Sequence, residues 1–218
     1  MYDNGVNRAH DVKMLIYGRM KVALHAALCL SILASANECY SQGRNEAAQS
    51  GFNEALYPLQ QMKEPRLPQL AKDQQAEAYR IMIFPTWGNA ISVRAEKHDG
   101  IYALSSRRLD GQAGFQSGRL VEEKDFDLTA ADSRILERLI QELAPFQIPS
   151  SDAIRGFDGD EWVLEIVSQG KYRVIERWCA TDYNPRKRGL LQFNALCKFL
   201  VDKSKLSVRP TNKGHKLI

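Results

Sequence analysis

Two glutamates, Glu165 and Glu176, have the residue type and surroundings that come closest to catalytic chemistry. Each lies in a segment that alternates apolar and polar residues, a pattern typical of a half-buried strand. Carboxylates beside aromatic side chains can have raised pKa values and act as a general acid and base. The structural interpretation fits better, because strand glutamates commonly face solvent or pair with arginine. The candidate cluster comprises Trp162, Glu165, Tyr172, Glu176, Arg177 and Trp178.

A turn at Gln169-Gly170 predicts that the two segments form a β-hairpin, because glycine tolerates the positive φ that such turns require. In this register, positions whose numbers sum to 339 face each other. Glu165 and Glu176 are then diagonal neighbours on one face. Trp162 lies opposite Arg177 on the other face, where the two side chains could form a cation–π pair. A register slip of one residue would separate the two carboxylates.

The hairpin and its flanks contain four short motifs: Gly156-Phe-Asp-Gly159, Trp162-Val-Leu-Glu165, Gly170-Lys-Tyr-Arg-Val174 and Arg177-Trp178. Together with Leu196-Cys197 further on, this combination resembles a bacterial family of uncharacterised exported proteins that share G-x-D-G, W-x-L-E, G-x-Y-x-V and R-W. The resemblance covers roughly Tyr79 to Leu200. It implies an exported α+β domain and no catalytic activity. The chain departs from the family at Cys179-Ala180, where Ser-Pro commonly follows R-W.

Two cysteines, Cys179 and Cys197, are candidates for a disulfide, since an oxidising compartment would permit one. A bridge between the end of a strand and the next helix would close a loop of about 19 residues and add about 3 kcal/mol. The alternative is a pair of buried thiols, because the Cα separation decides whether a bridge can form. Cys39 lies in a polar segment and is predicted to be unpaired or intermolecular.

Other catalytic and metal-binding patterns in the sequence are incomplete. No G-x-S-x-G nucleophile elbow accompanies His98 or His215, so a Ser-His-Asp or Cys-His hydrolase is not predicted. Neither C-x-x-C nor H-E-x-x-H is present to indicate zinc. The run from Asp158 to Glu161 matches a fragment of a calcium loop and fits a tight turn better. We therefore predict no metal and no cofactor.

A basic cluster of Arg186, Lys187 and Arg188 lies just before the last predicted helix. The helix dipole does not favour positive charge there, which indicates a solvated loop or a patch for an acidic partner. The partner could be a protein or an anionic envelope component such as a lipid headgroup or a surface polymer. Nucleic acid is not predicted, because the net charge of the chain is only +4.

The segment near the N-terminus predicts export. Arg19 and Lys21 precede an apolar run, Val22–Ala36, that ends in the small-x-small pattern of a signal-peptidase site. The run is shorter than the about 20 apolar residues that a spanning helix needs. We therefore predict that residues 1–36 are a signal peptide and that the mature protein is periplasmic or extracellular. An uncleaved anchor or a buried helix is the alternative, and membrane contact is expected only through this segment before cleavage.

The composition of the mature chain excludes several protein classes. Without residues 1–36 the chain has 26 basic and 24 acidic side chains, so its net charge falls to +2. Hydrophobic residues make up 44% of the whole chain and charged residues 26%, which excludes collagen-like and wholly disordered classes. Met1, Met14 and Met20 each fit as a start.

The remaining sequence predicts one α+β domain over residues 78–204. A polar tether or peripheral segment precedes it at 37–77, and a flexible basic tail follows at 205–218. The predicted class is a mostly antiparallel sheet of about six strands with two main helices packed on one face. The predicted helices begin at Thr129 and near Leu190. The predicted strands are 79–84, 90–96, 101–109, 119–126, 161–168 and 171–178.

Three functions fit these observations. The leading hypothesis is a non-enzymatic exported domain that binds a partner in the cell envelope or outside the cell. The second is a carboxylate-based hydrolase that uses Glu165 or Glu176. The third is a purely structural domain in which the hairpin forms the core and binds no ligand.

Overall fold

The computed structural model of the chain describes residues 56–112, 116–156 and 158–207. The predicted signal peptide, Cys39, His215 and the tail beyond residue 207 lie outside these residues.

Six strands form one sheet: β1 (Ala78–Pro85), β2 (Ile91–His98), β3 (Ile101–Leu109), β4 (Leu120–Asp127), β5 (Asp160–Ser168) and β6 (Lys171–Trp178). Their order across the sheet is β4-β3-β2-β1-β5-β6. Every neighbouring pair is antiparallel. The central position of β1, between β2 and β5, could not be derived from the order of elements along the chain.

Two tight turns set the register of two strand pairs. Asp99 and Gly100 join β2 to β3 with φ values of +51° and +82°, and Gln169 and Gly170 join β5 to β6 with +53° and +69°. Positive φ at both central residues matches the twist of the flanking strands. Trp162 faces Arg177 in β5 and β6, so the predicted register of this hairpin is confirmed.

The two long helices are α2 (Ala130–Leu143) and α3 (Leu191–Lys203), after a short α1 (Leu56–Gln61) and a 3₁₀ helix (Leu67–Lys72). Thr129 caps α2, because its hydroxyl accepts a 3.1 Å hydrogen bond from the Asp132 backbone N–H. The helix ends at Ala144, which has a left-handed φ of +46° before Pro145.

The main core lies between one face of the sheet and helices α2 and α3. Apolar side chains of five strands meet Leu136 of α2 and Phe193, Leu196 and Leu200 of α3 in one buried cluster. This arrangement confirms the α+β class and the mostly antiparallel sheet. Among the described residues, no helix is long and apolar enough to cross a membrane.

The opposite face of the sheet is covered by residues 56–77, part of the segment predicted to be a tether or a peripheral wrap. Leu59 packs against apolar side chains of β1, β5 and β6, and Leu67 packs near Ala78 and Val167. Met62 is also fully buried. This stretch therefore stabilises the sheet through apolar burial.

The candidate disulfide between Cys179 and Cys197 does not form, because both cysteines are free and buried. The Cys179 sulfur lies against Gly159, in the loop before β5. Cys197 points from α3 into the main core. The two thiols therefore have different surroundings, and the alternative of two buried thiols is correct.

Candidate functional site

The sheet divides the predicted cluster between its two faces. Glu165, Tyr172, Glu176 and Trp178 belong to the face that residues 56–77 cover, whereas Trp162 and Arg177 belong to the helix-covered face. Successive side chains of a β-strand point to opposite faces of the sheet, and this alternation causes the separation. The cluster therefore does not form one site.

Glu165 lies at the centre of a buried ionic network. The Nε of Arg80 donates a 2.6 Å hydrogen bond to Oε2 of Glu165, and a second guanidinium nitrogen also pairs with that oxygen. The Tyr172 hydroxyl donates a 2.6 Å bond to Oε1. Burial raises the pKa of Glu165, an effect that the Arg80 charge and the Tyr172 hydrogen bond oppose.

The network continues into the covering segment through Glu64. Its Oε2 accepts from Nη1 of Arg80 at 3.2 Å and from Nε of Arg94 at 2.9 Å. Arg80 also donates to the Pro65 carbonyl at 2.7 Å. Because Glu165 is fully buried and its oxygens already accept these bonds, the network supplies no open carboxylate for a substrate.

Glu176 is the more accessible of the two predicted carboxylates, with 13% of its side chain exposed. The Arg155 guanidinium lies 3.7 Å from it. Burial raises the pKa of Glu176 and so does the charge of Glu161, while Arg155 opposes the shift. Burial also raises the pKa of Glu161.

Arg177 anchors the segment that runs along the outer edge of β6. Its guanidinium donates to the carbonyls of Ser150 at 3.0 Å and Pro149 at 2.6 Å. It lies 5.7 Å from the ring centroid of Phe193. Burial lowers the pKa of Arg177 to about 10. These contacts protect the edge of β6 and give Arg177 a structural role.

Trp178 forms the base of an aromatic stack at the end of β6. A Cβ on Gly156 or Gly159 would collide with the indole, so only glycine fits at these two positions. The Tyr183 ring stacks on Trp178 with centroids 5.2 Å apart and planes 26° apart. Trp178 is buried, whereas Tyr183 is 62% exposed. The stack therefore presents one aromatic ring to solvent on a fixed base.

The predicted basic cluster separates into one structural arginine and two exposed charges. Arg188 pairs with Asp152 at 2.7 Å and donates to the backbone carbonyls of Trp178, Cys179 and Asp182. Arg186 and Lys187 are exposed. Arg188 therefore holds the loop that presents the other two.

We name one end of the sheet the four-loop end: it comprises the described residues of loops 86–90, 110–119, 152–159 and 179–190. Hydrogen bonds connect these loops to one another. The Thr86 hydroxyl donates to the Gly159 carbonyl at 2.8 Å, and the Asn89 side chain donates to the Gly111 carbonyl at 3.0 Å. The Cys179 N–H donates to the Asp160 carbonyl at 2.8 Å, at the start of β5. The scaffold therefore positions the loops, a common arrangement for binding surfaces.

Three exposed apolar side chains lie at or directly beside the four-loop end, while others of the described residues, such as Ile135 and Phe146, lie elsewhere. Trp87 in the first loop is 43% exposed, and Leu191, which directly follows the last loop, is 49% exposed. With Tyr183 they come from three different elements. The exposed charged residues of the described loops are Arg119, Arg155, Arg186 and Lys187, against Asp110 and Asp158. The end therefore combines apolar tips with an excess of exposed positive charge.

Four exposed residues at or beside this end were not predicted from the sequence: Trp87, Tyr183, Leu191 and Arg119. The available signal was the occurrence of aromatic or apolar residues inside turn-rich loops, as in Thr86-Trp87-Gly88-Asn89 and Asp182-Tyr183-Asn184-Pro185. Apolar residues on surface loops do not pack into the core, so they are candidates for contact with a binding partner.

The opposite end of the sheet has an open polar cleft of about 410 Å³. Gln75, Glu77, Lys97 and the β2–β3 turn line it. Lys97 bridges Glu77 at 3.5 Å and Glu137 at 2.8 Å. The charged groups that line this cleft are therefore largely paired with other charged groups of the domain.

Comparisons with protein-family models, curated proteins and solved structures found no match to this chain. Within the described ranges, no group of three or more His, Cys, Asp or Glu side chains could hold a metal ion.

Proposed function

We propose that this chain is an exported, non-enzymatic α+β domain that binds a partner in the cell envelope or outside the cell through its four-loop end. The observation that carries the proposal is the Trp178–Tyr183 stack, which holds an exposed aromatic ring on a buried base. Export rests on the sequence pattern of residues 1–36, and the resemblance to exported bacterial proteins supports it.

The backbone of the loop that carries Tyr183 supports a recognition role. Cys179 and Tyr183 have φ values of +43° and +54°, in a region that costs energy for most residues other than glycine, and Asn184, a residue type that tolerates this region, has +60°. Arg188 holds this loop through Asp152 and three carbonyls. Strained conformations persist where the surroundings enforce them, and they cluster at binding sites.

Preorganisation gives the stack a physical advantage in binding. A side chain that is already fixed loses less conformational entropy when a partner packs on it. Tyrosine adds a large apolar surface and a hydroxyl that can form a hydrogen bond, which makes it a common anchor in interfaces. Tyr183 is therefore the residue whose removal should weaken binding most.

The hydrolase alternative has less support than binding. Glu165 is enclosed by Arg80 and Tyr172, and Glu176 lies next to Arg155. The purely structural alternative accounts for the buried motif residues, since Trp162, Glu165 and Arg177 all stabilise the interior. It gives no reason for the exposed tyrosine on its strained loop.

Capture of partners from envelope extract tests the proposal, with the exported form of the protein as bait and Tyr183→Ala as the variant. We expect the variant to lose the captured partner while its thermal unfolding stays close to that of the unchanged protein. Phe146→Ala is the matched control, because Phe146 is an aromatic residue 37% exposed outside the four-loop end. Equal capture by the unchanged protein and the Tyr183→Ala variant would contradict the proposal.

A further inference from the structure

We infer that the four-loop end docks on the surface of an anionic lipid bilayer. This inference rests on the proposed function and specifies the partner of the same surface. It goes beyond the sequence expectation that membrane contact ends when the signal segment is cleaved.

The exposed apolar residues have the types that favour a membrane interface. Tryptophan and tyrosine concentrate at the boundary between headgroups and acyl chains, where an apolar ring and a polar group are both accommodated. Trp87 and Tyr183 supply these rings, and Leu191 supplies an aliphatic side chain that can enter the acyl region.

The exposed charges complement an anionic surface. Arg119, Arg155, Arg186 and Lys187 outnumber the exposed acidic residues of the described loops, Asp110 and Asp158. The charge of Arg155 is partly compensated by Glu176, which lies 3.7 Å away. Arg119 is 89% exposed and lies 3.7 Å from Asp110, so this pair is largely solvated. Asp152 is neutralised by Arg188. Basic side chains close to anionic lipids contribute favourably to the free energy of membrane binding, and they need no specific pocket to do so.

The exposed apolar residues of this end come from several elements, which suits contact with an extended surface. Trp87, Tyr183 and Leu191 come from the β1–β2 loop, the β6–α3 loop and the first turn of α3. Hydrogen bonds connect the loop of Trp87 to Gly159 and to Gly111, so these loops keep a fixed relation to one another.

Trp87 makes the inference directly measurable. The chain contains three tryptophans, and Trp162 and Trp178 are 1% and 8% exposed, whereas Trp87 is 43% exposed. Transfer of Trp87 from water to the bilayer interface should shift its fluorescence emission to shorter wavelength. The two buried tryptophans should contribute little to this shift.

The test is cosedimentation and tryptophan fluorescence of the exported protein with vesicles of phosphatidylcholine alone or mixed with phosphatidylglycerol. Mass spectrometry of each variant determines its N-terminus, and only variants with the same N-terminus are compared. We expect binding and a blue shift only with anionic vesicles, and both should weaken at high salt, which shortens the Debye length. Trp87→Phe should abolish the shift and retain most of the binding.

Charge variants locate the surface. Arg186→Gln combined with Lys187→Gln should lower the partition coefficient roughly 25-fold, about fivefold for each basic residue. Arg138→Gln is the matched control, because Arg138 is 66% exposed on α2 and should leave binding unchanged. Tyr183→Ala should also weaken binding, with only a small change in thermal unfolding from the lost contact with Trp178.

Absence of vesicle binding, or equal binding to neutral and anionic vesicles, would overturn the bilayer inference. If Tyr183→Ala still lost a protein captured from envelope extract in those cases, the proposed function would stand. The vesicle experiment can therefore contradict the bilayer inference while the capture experiment still supports the proposed function.

Discussion

The Tyr172 hydroxyl donates a 2.6 Å hydrogen bond to Oε1 of Glu165 across the β5–β6 hairpin, while Arg80 of β1 binds the other oxygen of the same carboxylate. Three strands are thus joined through one buried side chain. In the sequence, Glu165 was a candidate catalytic carboxylate. In the structure, its buried side chain links the β5–β6 hairpin to β1 and, through Arg80, to residues 56–77.

Removal of the Arg80 charge should strongly destabilise the fold. Arg80→Met leaves the buried Glu165 without its ionic partner, so we expect the free energy of unfolding to fall by about 3–5 kcal/mol in urea denaturation. The double variant Arg80→Met/Glu165→Leu should lose less than Arg80→Met alone, because no unpaired charge remains. A loss below about 1 kcal/mol for Arg80→Met would contradict the network.

Loss of the Tyr172 hydroxyl should have a smaller effect. Tyr172→Phe keeps the ring and removes one hydrogen bond to a buried charged group, which should cost about 1.5–3 kcal/mol in the free energy of unfolding. In the Glu165→Leu background the same substitution should cost much less, since the acceptor is gone. Equal costs in the two backgrounds would show that the hydrogen bond does not stabilise the fold.

Glu161 should make stability depend on pH. Burial raises the pKa of Glu161 in the folded protein above the usual 4.5. The contribution of Glu161 to the free energy of unfolding is therefore fully present below pH 4.5 and is lost as the pH rises through the folded pKa. Glu161→Gln should therefore raise Tm at about pH 7 and change it little at about pH 4. Glu142→Gln is the control, because that side chain is 53% exposed. An increase in Tm that is larger at the acidic pH would contradict this sign.

A side chain at Gly156 should disrupt the base of the aromatic stack. Gly156→Ala places a methyl group against the Trp178 ring, so we expect a loss of about 1–3 kcal/mol in the free energy of unfolding. The same substitution in a Trp178→Leu background should cost less, since the smaller side chain leaves room. If the cost does not depend on Trp178, the contact is not the cause.

The two described thiols should react only after unfolding. Cys197 is fully buried, and burial raises its pKa well above the usual value. Iodoacetamide should leave Cys179 and Cys197 unmodified in the native protein and label both in denaturant, as read by peptide mass spectrometry. A non-reducing digest that contains a Cys179–Cys197 cross-linked peptide would contradict the structure.

Local sequence signals predicted the elements well where the cause is itself local. Gln169-Gly170 sets a two-residue turn, and the register of β5 and β6 follows from it. Thr129 caps α2 because the donor it satisfies is only three residues away. In both cases the chemistry lies within a few residues, so no knowledge of the remaining chain was needed.

The candidate site was predicted less well because its contacts join distant parts of the chain. Arg80 and Glu165 are separated by 85 positions, and they meet only because β5 pairs with β1. The same pairing brings Thr86 next to Gly159 and so connects two loops of the four-loop end. No periodicity in either segment indicates this partner.

The sequence by itself determined the α+β class, the hairpin register and the beginning of α2, since turn chemistry, hydrophobic period and helix capping act over a few residues. Only the tertiary structure decided that Glu165 is buried against Arg80, that Cys179 and Cys197 have separate surroundings, and that Tyr183 is exposed on Trp178. Those outcomes depend on the order of strands across the sheet, which apolar burial over the whole domain selects.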